Sequence, residues 1–252
     1  MEERAGRGAS MKFENVLIRF FPAVYSEANF VDRTYQALSS HGFTADNTIA
    51  IVDVCRDEIS QPFLRLVKDK WGEAFNLCSL AGMFFAGRTA LQAAMHHSPH
   101  VGGRERYVFF ALPHIAVDGG GQIGVCERPG VGESNACGAL NAFLQELQKG
   151  KLNVSLDEND LEQSLLKARL LKEIPYGQIP DLLSLTRLVQ KLIVADLENA
   201  LRPIIDPGKC DYAVLSGIQI HGPEGNYVCP SPGYAIVQGT RQDIVLPGTK
   251  CV

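Results

Sequence analysis

Three residues of this chain are of the types that hold a soft metal ion. Cys55 follows an apolar run at residues 47–54, His114 lies near the far end of a longer run at 106–117, and Cys137 opens a helical pattern that continues to about residue 147. Runs rich in β-branched and apolar residues read as buried strands, and open α/β sheets gather their chemistry at the carboxyl ends of strands. Parallel strands ending at one edge would bring Cys55 and His114 together. Cys137 would join them from a helix start, where free N–H groups favour a thiolate. Two thiolates and one imidazole suit zinc in tetrahedral coordination, with a fourth position left for water. Zinc lowers the pKa of such a water to about 7, so a nucleophile exists at neutral pH. Dozens of residues separate the three, unlike the tight pairs of zinc fingers. Each also has a plainer reading: a packed core thiol, a core histidine bonded to a carbonyl, and a residue that fills a helix start.

The other polar candidates cluster around the first cysteine. Asp57 and Arg56 belong to the run Cys55-Arg56-Asp57-Glu58. Glu58 suits the first turn of the helix that follows. His97 either lines the site as a proton carrier or ends a helix, and His96 and His100 read as surface residues. Gly119 to Gly121 form a turn and no phosphate loop, because no helix with Lys and Ser/Thr follows. Cys78, Cys126, Cys210, Cys229 and Cys251 are assigned to packing or surface. Tyr107, Phe109 and Phe110 read as sheet core.

These residues need a frame that alternates strand and helix. The pattern predicts helices over 29–39, ended by Gly42, over 61–71, and over 88–97, stopped by Ser98-Pro99. Strands are expected at 47–54, at 75–80 and, most strongly, at 106–117. The segment 122–126 reads as a hairpin return of that last strand, and 128–135 as a glycine and proline loop. Further helices fit 155–171, capped by Ser155, and 180–201. The tail reads as short antiparallel strands at 212–221, 226–229 and 234–238. The expected fold class is α/β: a mainly parallel sheet covered by helices, with antiparallel C-terminal strands that extend or cap it. Residues 1–10 read as a disordered lead and 11–252 as a single domain.

Composition narrows the function classes. A net charge of −4 gives no argument for a nucleic-acid or membrane surface, and no apolar run reaches the ~18 residues that span a bilayer. Seven scattered cysteines, an odd number, do not resemble a secreted disulfide framework. Reduced thiols and the lack of a signal-peptide pattern point to an intracellular, reducing compartment.

The segments CRDE (55–58), GGRERYVFFALPHIA (102–116) and ACGAL (136–140), with HSP at 97–99, together resemble the limiting-CO2-inducible B protein family, also called θ-type carbonic anhydrases. Cys55-Arg56-Asp57 alone resembles the Cys-x-Asp motif of β-carbonic anhydrases. The resemblance runs from about Phe20 to Leu147. It implies a β-carbonic anhydrase-like fold and one zinc ion held by Cys55, His114 and Cys137, with Asp57 beside the open metal position. It implies reversible hydration of CO2 to bicarbonate. In that reaction an aromatic side chain near His114 would shape an apolar CO2 pocket and His97 would pass the proton. In the β-type enzymes an arginine pairs with the aspartate and keeps it off the metal. There the arginine is two residues after the aspartate, but position 59 here is Ile59. Arg56 is the first choice for that role, with Arg104 and Arg106 as alternatives. The resemblance also implies a homodimer or a related partner subunit. The compartment would be the chloroplast stroma of an alga or the cytoplasm of a bacterium. A rival from another class is a catalytically silent zinc scaffold within a CO2-concentrating mechanism. A third, a zinc hydrolase of another substrate, lacks an evident general base.

Overall fold

A computed structural model describes residues 13–128 and 130–246; the expected lead at 1–10 and Cys251 lie outside them. The chain builds strands β1 (Tyr25–Ser26), β2 (Ile49–Val54), β3 (Ala74–Asn76), β4 (Glu105–Leu112), β5 (His114–Ala116), β6 (Val125–Arg128), β7 (Gly132–Asn135), β8 (Cys210–Gly222), β9 (Gly225–Pro230), β10 (Gly233–Val237) and β11 (Thr240–Ile244). Its helices are α1 (Glu27–Ser39), α2 (Gln61–Trp71), α3 (Gly87–Met95), α4 (Gly138–Gln148), α5 (Leu161–Leu171) and α6 (Leu182–Leu201). Among the described residues no helix is long and apolar enough to cross a membrane.

The main sheet runs β1-β9-β8-β4-β2-β3. β3, β2, β4 and β8 are mutually parallel, and β5 is parallel to the far half of β8. The tail strands are antiparallel: β9 and β10 pair with β8, and β11 pairs with β10. A parallel strand covered on both faces needs apolar residues at nearly every position. β2 is buried throughout, as are the last six residues of β4. Successive side chains then serve opposite faces. Ile49, Ile51, Tyr107 and Phe109 pack under α4, α5 and α6, among Leu140, Phe143, Leu166, Leu170, Val189 and Ile193. Ala50, Val52, Val108 and Phe110 pack under α1 and α2, against Phe30, Leu38, Phe63, Val67 and Trp71. A third cluster sets Phe13, Leu17 and Phe21 against Ile115, Ile218, Ile220 and Tyr227. The apolar residues Phe13, Leu17 and Phe21 are thus covered by this chain's own β5, β8 and β9.

Local chemistry fixes the element ends. The Ser26 hydroxyl accepts from Asn29 N–H at 3.3 Å to start α1, and the Asp181 carboxylate accepts from Ser184 N–H at 2.7 Å to start α6. α2 opens with Pro62 in its first turn and stops at Gly72, whose φ is 81°. The predicted strand 106–117 is one ladder with a break at Pro113, which has no N–H to give. Its register against β8 continues unbroken across the proline, from Ala111 opposite Ser216 to His114 opposite Gln219.

Four expectations are corrected. The segment 122–126 makes only a single bridge back, Val117 to Ile123, and the supposed loop 128–135 supplies β7, which pairs with β6 as a separate hairpin. The helix expected from 155 begins at Leu161, because the Ser155 hydroxyl bonds Asn153 instead of capping it. The tail strand at 212–221 is longer than predicted and lies beside β4 in the parallel part of the sheet.

Candidate metal centre

Each of the three cluster residues is placed by a strand or helix end. Val54 stands opposite Leu112 in the β2–β4 register. One residue on is Cys55, which bridges to Ser79; two residues on from Leu112 is His114. Cys137 is the N-cap residue of α4. The two sulfurs and one imidazole nitrogen all lie within 4.8 Å of one another, and all three residues are buried. Gly82 presses against this corner with φ 68°; a Cβ there would stand 2.9 Å from the Leu112 carbonyl oxygen and 3.3 Å from the Cys55 nitrogen.

The electrostatics favour a cation. The Cys55 thiol is drawn down to about 4, first by a hydrogen bond from Cys137, then against burial by His114 and the Asp57 N–H. The Cys137 thiol is pushed up, because it donates to the Cys55 thiolate and is itself buried. Among the described residues His114 Nε2 is buried without a hydrogen-bond partner. A buried polar atom left unpartnered is costly, and this one belongs to a residue of the cluster. The donor set of two thiols and an imidazole fits a tetrahedral soft ion such as zinc.

Asp57 lies at the rim. It caps the short turn Glu58–Ser60, accepting from Ile59 N–H at 3.4 Å. Its Oδ2 is 3.9 Å from His114 Nε2. Both carboxylate oxygens accept from the Arg128 guanidinium, Oδ1 at 3.1 Å and Oδ2 at 3.0 Å. Burial pushes this carboxyl up, and the Arg128 hydrogen bonds, aided by Glu58 and His114, outweigh it, so the net shift is down. Arg128 also holds Glu58. A cavity of about 700 Å³ opens on the outer side of Arg128, between the β6–β7 hairpin and the turns at Asp118–Gly119 and Gly222–Pro223.

The arginine expected beside Asp57 is therefore corrected. Arg56 points to solvent and pairs with Glu162 at 2.7 Å. The cause is the one that strand geometry suggests: neighbours on extended chain face apart. Arg104 and Arg106 both turn to Asp211 at the opposite end of the sheet. His97 is exposed at the end of α3 and rests against Phe75. Phe75 stands opposite Ile51, four residues back from Cys55 along β2, a distance of about 13 Å at the rise of a strand. The structure does not bring His97 to the cluster. Tyr107 and Phe109 share the core cluster that holds Cys55 and Cys137, while Phe110 faces the other side.

Residues outside the expected set complete the surroundings. His114 Nδ1 and His221 Nε2 are 3.1 Å apart, and His221 Nδ1 is 2.9 Å from Asn226 Oδ1. Burial, then the neighbouring His114, holds His221 down at about 3, so it is uncharged. Below it Gln219 donates to the buried Glu27 at 2.8 Å. Burial raises Glu27 to about 7 against the hydrogen bonds from Gln219 and Asn226.

The family model of limiting CO2-inducible proteins B/C beta carbonic anhydrases matches residues 24–237. The chain belongs to this family. A crystal structure of the limiting CO2-inducible protein LCIB is 34% identical, with a TM-score of 0.78; the match covers 92% of this chain and 98% of that one. A crystal structure of a homologue of that protein is 22% identical with a TM-score of 0.79, covering 92% of this chain and 99% of that one. No curated protein matches. The family match takes in every residue of the cluster, together with Arg128, His221 and Asn226.

Proposed function

We propose that this chain binds one zinc ion through Cys55, His114 and Cys137 and hydrates carbon dioxide reversibly to bicarbonate. The observation that carries this is the carboxylate of Asp57, tied at both oxygens to Arg128 beside the three-residue cluster. A carboxylate so tied is kept from serving as a fourth ligand, which leaves that position for water. Bound zinc would supply Lewis acidity, lowering the pKa of a water to about 7 and so providing a nucleophile for CO2.

The chain's own residues do the rest. Asp57 accepts a hydrogen bond from the nucleophile and turns its lone pair towards the carbon. Arg128 keeps Asp57 ionised, an acceptor only, and aimed. Cys55 and Cys137 belong to the same apolar core cluster as Leu77, Ala81 and Leu140, surroundings that suit an uncharged substrate. Arg128, which holds Asp57, also lines the cavity beside the β6–β7 hairpin.

Stopped-flow CO2 hydration by the zinc-loaded protein tests this directly. A rate well above buffer is expected. A protein that holds one zinc ion per chain yet runs no faster than buffer would be a silent scaffold.

A further inference from the structure

We propose that His221 and Asn226, on the C-terminal hairpin, are positioning residues that fix which nitrogen of His114 faces the metal. This rests on the zinc centre proposed above and adds the device that orients its imidazole ligand.

The hydrogen-bond directions follow from one side chain. Asn226 donates its amide N–H to the Ile59 carbonyl at 3.4 Å. Its oxygen therefore faces His221 Nδ1, at 2.9 Å, and an amide oxygen can only accept. His221 must carry its single proton on Nδ1, and its Nε2 is left as an acceptor. The partner 3.1 Å away, His114 Nδ1, must then be the donor. A neutral imidazole has one N–H, so the lone pair of His114 falls on Nε2. That is the nitrogen buried without a partner among the described residues, 3.9 Å from Asp57.

The fold holds this chain of bonds rigidly. His221 stands opposite Ala116 across the β5–β8 pair and opposite Asn226 across β8–β9. The two imidazoles meet edge to face, 5.1 Å between centroids, with His114 fully buried and His221 4% exposed. Gln219, opposite His114, anchors the same pair of strands to Glu27. Outer partners of metal-bound histidines set their tautomer and basicity, and their loss weakens metal binding about 10–100-fold.

The test combines metal affinity with a tautomer signature. Zinc affinity is measured by competition with a chromophoric chelator for wild type, His221→Phe, His221→Gln, Asn226→Leu and Asn226→Asp. The nitrogen shifts of His114 are read by NMR on ¹⁵N-histidine-labelled, metal-free wild type. His221→Phe and Asn226→Leu are expected to bind zinc about 10–100-fold more weakly. His221→Gln and Asn226→Asp, which keep an acceptor at the needed place, should stay within several-fold of wild type. The spectrum should show His114 protonated on Nδ1. A folded His221→Phe protein with wild-type affinity overturns the proposal, as does a spectrum with the His114 proton on Nε2. Should His221→Phe fail to fold, the spectrum and the Asn226 pair still decide. Wild type that binds no zinc would sink the metal centre, while the tautomer result judges His221 by itself.

Discussion

Asp57 is the residue on which the proposed activity turns, and Arg128 is the residue that restrains it. Changing Arg128 to Gln removes the charge while keeping some bulk. The carboxyl pKa then rises, since the hydrogen bonds that outweigh burial are gone. CO2 hydration by the zinc-loaded variant should fall by at least tenfold, and the acid limb of its pH–rate profile should move to higher pH. An unchanged profile would show that Arg128 does not govern Asp57. By contrast, Arg56→Ala removes an exposed pair with Glu162, of a kind worth roughly 0–1 kcal/mol, and an exposed hydrogen bond to the Cys78 carbonyl at 3.3 Å. Zinc affinity should stay within about threefold of wild type by chelator competition, consistent with that small energy. The sequence exposed one half of this pairing and hid the other. Cys55-Arg56-Asp57-Glu58 could be picked out because its polar residues follow an apolar run. Arg128 sits among glycines and a proline, in a stretch that reads as loop, and its contact with Asp57 spans 71 positions. Nothing local to either residue marks the other.

At the scale of elements, the cluster depends on how tightly three backbones meet. Gly82 occupies the left-handed region and touches the backbones of both Cys55 and Leu112. Gly82→Ala adds strain at a positive φ and a contact no flexible side chain can relieve, a cost of about 1–3 kcal/mol. Urea denaturation of the metal-free protein should show that loss, and zinc affinity should fall as well, because Cys55 shifts with its nitrogen. A substitution that left both unchanged would mean the corner yields freely. Element type was legible where one face or one cap dominated. The helix at 61–71 could be bounded from its proline and its glycine, and the strand at 106–117 from an unbroken apolar run. Pairing partners were not legible. β8 has the composition of a tail strand, yet it takes the place beside β4, since a strand buried on both faces reads the same wherever it pairs. That is why His221 and Asn226 escaped notice: the residues beside His114 depend on which strand adjoins β5.

For the whole molecule, the proposed zinc ion and one buried acid would set how stability responds to conditions. Zinc that binds the folded chain alone should stabilise it by about 2.7 kcal/mol at a free concentration of 100 times Kd. A melting scan with zinc and with chelator should show the higher midpoint with zinc, and coincident curves would deny a native site. Glu27 acts in the opposite sense to a salt-bridged acid. Its folded pKa of about 7 lies above its ordinary value of 4.5, so the folded state keeps a proton that the unfolded state has lost. Its contribution is fully present below pH 4.5 and disappears as pH rises through 7, about 3 kcal/mol in all. Glu27→Gln should therefore gain stability relative to wild type between those limits, as urea titrations at pH 4.5 and 7.5 would reveal. A constant difference would place the Glu27 pKa near that of a free glutamate. β4 pairs in register with a strand 105 positions further along, Glu105 with Cys210. A ribosome moving at roughly 5–20 residues per second leaves that edge of β4 bare for about 5–20 seconds while the rest emerges. An uncovered apolar strand is a template for pairing with another chain. The nascent protein thus passes through a window in which that edge of β4 has no strand of its own chain beside it.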